Sequence, residues 1–321
     1  MALMVHDDVT AWLLEADPSL QFQVQRDLLD APLSTWNRTR ERTMTEGYGA
    51  ELLAKQDDDG QWAGGAYFPG ANDWQAEPGQ PWTATTWSLN MLRTWGVDAA
   101  ALEGTAEKLA TTSRWEYDNL PYWGGEVDVC INAFTLQNGI WLGVDMAPLA
   151  RWFVDHTLPD GGFNCEWESG STRSSFHSTL NALYALLAYE QAGLATDELI
   201  ATRHRAEEYL LARHLMYSLS TGEVVAPWVT NFLAIPRHAY SALRALDYFR
   251  LASEHDRTSP DPRLAEAVAM VRSKQQPDGR WLNDHHLPGR VWFEIDEPVG
   301  EPSRNVTLQA LRVLRWIDDA Q

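Results

Sequence analysis

Hydrophobic positions recur along the chain at three- and four-residue spacing, in two alternating kinds of segment. One kind, residues 20–30, 82–95, 128–142, 174–192, 237–252 and 302–317, carries Leu, Ala and aromatics on more than one face, as buried helices do. The other kind, residues 6–16, 35–56, 98–112, 145–156, 195–216 and 261–275, sets an apolar face against a charged one, as in Arg38, Arg40, Glu41 and Arg42 or His204, Arg205, Glu207 and Glu208. No stretch alternates with strand period. The pattern predicts an all-α fold over residues 1–321, a single-domain (α/α)6 barrel of six inner and six outer helices. Parallel inner helices would open their N-termini at one end, where free amides and helix dipoles converge, and a pocket is expected there.

Turns of related sequence punctuate these segments. Gln56-Asp57-Asp58-Asp59-Gly60-Gln61-Trp62 and Gln275-Gln276-Pro277-Asp278-Gly279-Arg280-Trp281 share the form Gln-x-x-Asp-Gly-x-Trp. Thr157-Leu158-Pro159-Asp160-Gly161-Gly162-Phe163 keeps Asp-Gly and an aromatic. Glycine supplies left-handed backbone at a helix stop, and the Asp carboxylate folds onto nearby amides. The aromatic then pins the turn to a neighbouring helix. The three copies stand roughly 100–120 residues apart, about two helix-pair units each. Degenerate turns at 115–125 and 220–228 fill the gaps, as a ring or solenoid of helical hairpins requires.

Charge narrows the function. The formal net charge is -20, which repels phosphate backbones and anionic lipid and so argues against a nucleic-acid or membrane-surface role. No apolar run has the length of a membrane span, so stable membrane insertion is not expected. The first residues lack a basic region and place Asp7 and Asp8 where a signal peptide is apolar, so a cytoplasmic location is expected. The two cysteines, Cys130 and Cys165, then suggest metal binding or chemistry before a disulfide. The 16 Trp imply repeated packing devices or an aromatic-lined cavity.

Candidate chemistry gathers at two helix starts. Asp128-Val129-Cys130 opens one segment and His177 opens the next. A carboxylate, a thiolate and an imidazole are competent zinc ligands, and three of them leave a fourth position open, as catalytic sites do. The same residues also read as a helix-capping Asp beside a buried thiol. Cys165 is a fourth ligand, a nucleophile, a disulfide partner of Cys130 or a partly buried thiol. Glu126 is a candidate proton donor, and Arg173, just before the His177 helix, a holder of an anionic group. His238 and Tyr240 are acid–base candidates at the expected mouth. Arg290–Glu297 mixes aromatics and acids and is expected to form a flap.

Val127-Asp128-Val129-Cys130-Ile131-Asn132-Ala133-Phe134, followed by Gly161-Gly162-Phe163 and Ser175-Phe176-His177-Ser178-Thr179, resembles the zinc site of protein prenyltransferase β subunits. The Gln-x-x-Asp-Gly-x-Trp turns resemble those of squalene and terpene cyclases, which share that superfamily. The resemblance implies the α/α toroid, zinc as cofactor, and a small hydrophobic, isoprenoid-like substrate. Two departures matter. Leu120–Glu126 has no Lys or Arg where the prenyltransferases hold diphosphate, and no α-subunit partner is evident. The one run of acids, Asp57-Asp58-Asp59, lies in a repeat turn and reads as structural. The expected function is a zinc-dependent transferase or cyclase. The alternatives are a metal-free cyclase with a carboxylic acid proton donor, Asp128 or Glu126, and a non-catalytic barrel that binds a hydrophobic ligand.

Overall fold

The computed structural model describes residues 7–70, 75, 77–295 and 297–320, and among them the chain is all-α. Thirteen α-helices and only isolated β-bridges are found among these residues. The chain forms two compact units. The first comprises residues 1–39, 207–286 and 294–321; the second comprises residues 40–206 and 287–293.

The helix bounds follow the periodicity closely. They are α1 (Asp7–Leu14), α2 (Pro18–Asp27), α3 (Leu33–Arg42), α4 (Gly47–Leu53), α5 (Thr85–Thr94), α6 (Thr105–Thr112), α7 (Val129–Trp141), α8 (Ala147–Asp155), α9 (Phe176–Gln191), α10 (Asp197–Leu211), α11 (Ala242–Asp256), α12 (Ala265–Ser273) and α13 (Arg304–Asp319). One expectation needs correction: 35–56 is two helices, not one. After Arg42 the amides of Thr43, Met44 and Thr45 reach back three residues rather than four, which tightens and ends α3. Residue 6, at the edge of the first expected helix, lies outside the described residues.

The repeat turns are one device used three times. Gly60, Gly161 and Gly279 have φ of 90°, 93° and 84°, and each turn closes with paired backbone bonds, such as Asp57 N to Gln61 O at 2.8 Å. Asp59 and Asp278 accept from the amides two residues on, as expected. Asp160 instead takes the amide and hydroxyl of Ser174. Trp62 and Trp281 are fully buried, and their indoles donate to Leu52 O and Val271 O, ten residues back, at 2.9 and 2.8 Å. Each aromatic residue also donates its amide to a buried threonine at the start of the next long helix. The pairs are Trp62 with Thr85 (3.1 Å), Phe163 with Thr179 (3.0 Å) and Trp281 with Thr307 (3.0 Å). The sequence motif therefore ties a helix end to the next helix start.

In the first unit α13 packs on α11, α12 and α2. Between them lies a buried ionic group. Asp247 accepts from Arg250 Nε at 3.0 Å and Arg312 Nη2 at 2.6 Å. Burial pushes the Asp247 carboxyl up, but the two guanidinium groups outweigh it and hold it below its ordinary value. In the second unit α7 is central and packs on α5, α8 and α9. Its companion α9 buries Leu180, Asn181, Leu183, Leu186 and Leu187, an apolar face broken by one amide. No helix among the described residues is long and apolar enough to cross a membrane.

Candidate functional site

The site is built at the N-terminus of α7. Asp128 is the N-cap: its Oδ1 accepts from the amides of Cys130 at 2.7 Å and Ile131 at 3.1 Å. The chain enters this helix through Gly125 and Glu126, held by Asn132, whose Oδ1 accepts from Glu126 N at 2.7 Å and whose Nδ2 donates to Glu126 O at 2.6 Å. Asn132 is fully buried, so this clamp fixes the direction of Asp128. Cys130 in the first turn is buried.

Cys165 arrives from the loop after the third repeat turn. Asn164 caps that loop, accepting from Glu166 N at 3.0 Å and donating to Arg173 O at 2.7 Å. The Trp167 indole donates to Val127 O at 2.8 Å, which pins the loop to the entry of α7. Cys165 Sγ then stands 3.1 Å from Asp128 Oδ1, 3.4 Å from Cys130 Sγ and 3.2 Å from Ser178 Oγ. Cys130 Sγ also accepts from Asn181 Nδ2 at 3.3 Å. Both sulfurs are free thiols.

Asp128, Cys130 and Cys165 each offer a ligand atom, and the three atoms lie within 4.8 Å of one another. Ligands about 2.0–2.3 Å from a tetrahedral zinc stand roughly 3.5–3.8 Å apart. The observed 3.1 and 3.4 Å fall only slightly below that spacing. Three groups that ionise to anions thus converge on one point and need protons or a cation between them. The hydrogen bond from Cys165, followed by burial and nearby negative charge, pushes the Cys130 thiol well up, so its thiolate is disfavoured in the bare cluster.

The expected set of Asp128, Cys130 and His177 is brought together in part. His177, half-buried in the first turn of α9, is not in the group; Cys165 is. On the helical wheel Asn181 lies between Ser178 and His177, about 60° from one and 40° from the other. The cluster is built on the Ser178 side. Glu126 is half-buried beside Asp128, and its Oε2 accepts from Val127 N at 2.7 Å; burial, foremost, raises its pKa. Arg173 is exposed, and its carbonyl is engaged by Asn164 and Ser171. His238 and Tyr240 belong to the first unit. Tyr240 is fully buried there, and its hydroxyl donates to Leu215 O at 2.8 Å, an anchoring role in the core. In the 290–297 segment Asp296 lies outside the described residues. Arg290 pairs with Glu77, and Trp292 donates to Thr83 O and Ser88 Oγ at 3.1 Å, so this part is fastened to the start of α5.

Sequence reasoning missed Ser178, Asn181 and Tyr67. Asn181 follows from His177 by helical spacing, since i and i+4 share a face, whereas Ser178 lies about 100° round the helix; both are buried. Tyr67 carries no periodic signal, because it lies in the loop after a repeat turn. Burial, and then the charges of Asp128 and Cys130, push its phenol well above the ordinary range. Its ring packs on Trp87 at 4.8 Å, and Trp87 in turn meets Trp82 at 4.8 Å and Phe134 at 5.3 Å. The cluster therefore has an aromatic neighbourhood.

No family model matches the chain, and no curated protein matches it. A crystal structure of a protein from Actinoplanes is similar over 94% of this chain and 90% of that one, with 16% sequence identity and a TM-score of 0.45.

Proposed function

We propose that the chain is a zinc-dependent enzyme of the prenyltransferase and terpene cyclase kind, acting in the cytoplasm on a small apolar substrate. The observation that carries this reading is the convergence of Asp128 Oδ1, Cys130 Sγ and Cys165 Sγ. Two sulfurs and a carboxylate are a donor set suited to zinc, and their spacing is close to that of a tetrahedral ion. Asp128, Cys130 and Cys165 would hold the metal, with His177 on the adjoining flank of α9 as the fourth candidate. Zinc so held supplies Lewis acidity, which makes a thiol or hydroxyl more acidic or polarises a carbonyl.

The chain's own residues have definite parts in this reading. Asn132 and the Trp167 indole hold the two arms of the site at fixed distance. Asn181 steadies the Cys130 sulfur with an N–H, as partners behind metal ligands do. Tyr67, kept protonated, offers a neutral phenol rather than a further anion. The Tyr67, Trp87 and Phe134 rings favour an apolar substrate and tolerate positive charge developing on carbon.

Elemental analysis of the purified protein tests the reading. The wild type is expected to carry about one zinc per chain. Cys130→Ala and Cys165→Ala are each expected to lose it, with the helical circular dichroism unchanged. A zinc-free wild type, or a double alanine variant that retains its zinc, would overturn the proposal.

A further inference from the structure

Two arginines buried in the chain face carboxylates. Arg203 binds Glu190, and Arg250 binds Asp247 and Glu254. Arg93, in the last turn of α5, does not. Among the described residues it forms no ion pair, and its one hydrogen bond runs from Nε to Asn138 Oδ1 at 3.1 Å. Acids outnumber bases 45 to 25 in this chain, so a half-buried guanidinium without a carboxylate calls for explanation. Desolvation alone draws its pKa down to about 10, the mark of a cation whose surroundings do little to compensate it. The carboxyl end of α5 favours a cation, but it occupies none of the free N–H groups.

Hydrogen-bond logic fixes the amides around it. Arg93 Nε can only donate, so it requires the oxygen of Asn138. Asn138 is fully buried and must therefore turn its nitrogen the other way, where Nδ2 donates to Asn90 Oδ1 at 2.9 Å. That spends the oxygen of Asn90 and leaves its Nδ2 over. Arg93 Nη1, Arg93 Nη2 and Asn90 Nδ2 remain, all donors, with both amide oxygens engaged within the relay. Asn90, like Arg93, is half-buried, so the group is reachable from solvent. A cation flanked by donors, with no carboxylate paired to it among the described residues, suits an oxyanion.

The place of this group relative to the metal-ligand cluster is set by α7. Asn138 follows Cys130 by eight residues, about 12 Å along the helix axis. Phe134 lies midway between them on the same helix.

We propose that Arg93 and Asn90 bind the oxyanion, a carboxylate or phosphate ester, of an amphipathic ligand whose apolar part extends toward Asp128, Cys130 and Cys165. The direction of the apolar part rests on the function proposed above; the anion site does not. It also locates a basic group for the substrate, which the residues just upstream of Asp128 lack.

Binding of dodecanoate, dodecyl phosphate and dodecanol to the full-length protein, followed by tryptophan fluorescence and calorimetry, tests the site. Both anions are expected to bind about tenfold or more tightly than the alcohol. Their ranking identifies the preferred head group. Arg93→Gln is expected to abolish the preference while leaving dodecanol affinity and the melting temperature unchanged. Asn90→Asp, which keeps the arginine but adds a negative charge, is expected to abolish it too and serves if Arg93→Gln does not fold. Equal affinity for acid and alcohol in the wild type, no binding of any of the three, or a preference that survives in Arg93→Gln would overturn the inference. Zinc is measured on the same samples. An anion preference without zinc sinks only the metal reading, and zinc without the preference sinks only this one.

Discussion

Replacing Thr307 with valine isolates the physics of the repeat turns. Valine matches threonine in shape, so packing against Trp281 is kept and only the hydroxyl is lost. That hydroxyl accepts from Trp281 N at 3.0 Å and lies 3.4 Å from Trp281 O. The carbonyl retains a second partner, because Ser303 N donates to it at 2.8 Å. Among the described residues the amide has no other acceptor, and both residues are fully buried. The loss is therefore that of one buried, unsatisfied N–H, about 1–3 kcal/mol. Taking about 2 kcal/mol, against an unfolding entropy of about 2.1 cal/mol/K per residue over 321 residues, the melting temperature should fall by about 3 °C. Thr179→Val, at the Phe163 turn, has the same geometry and the same expected loss. Serine at either position keeps the hydroxyl and should recover most of it. Urea unfolding and thermal melts of the valine and serine variants measure the effect. If the valine variants are as stable as wild type, or serine does no better than valine, the hydroxyl-to-amide tie is not what joins turn to helix.

Other outcomes follow from single contacts. Asp247→Asn removes the carboxylate shared by Arg250 and Arg312 and should destabilise by about 3–5 kcal/mol, read by urea unfolding at pH 7. The depressed pKa of Asp247 means that this stability is present above the ordinary carboxylate range and lost as pH falls through the folded value. The gap between wild type and Asp247→Asn should therefore close on acidification, and a gap that widens would contradict the assignment. Gly125→Ala forces a side chain onto backbone at φ 73° and drives its Cβ into Asn132 and Leu149, so a loss of more than about 1 kcal/mol is expected in thermal melts. Trp62→Phe removes the indole donor to Leu52 O and should cost about 1 kcal/mol beyond the lost area.

Much of the fold was legible because it is periodic. Segments such as 82–95, 128–142 and 302–317 carry buried residues on several faces, and they became α5, α7 and α13. The turn motif gave Gly60, Gly161 and Gly279 their left-handed backbone, and Trp62 and Trp281 their buried places. The threonine partners were not legible, since Thr85, Thr179 and Thr307 lie 16–26 residues away in sequence and no short motif links them. The break between α3 and α4 was missed because the amphipathic pattern runs on through Thr43. At the site, Asp128 and Cys130 were found because they share one helix turn. Cys165 entered as one of several options because loop residues have no period to aim them. Its position depends on the Trp167 bond to Val127 O, a tertiary contact across 40 residues. Arg93 carries no signal in the sequence; the hydrogen-bond partners around it become visible only in the structure.

X-ray absorption at the zinc edge, on protein purified under reducing conditions, counts the sulfurs around the ion. Two sulfur neighbours at about 2.3 Å, with lighter atoms near 2.0–2.1 Å, are predicted, and Cys165→Ala should show no such pair. A spectrum with a single sulfur, or no zinc edge at all, would contradict a metal centre built from Asp128, Cys130 and Cys165.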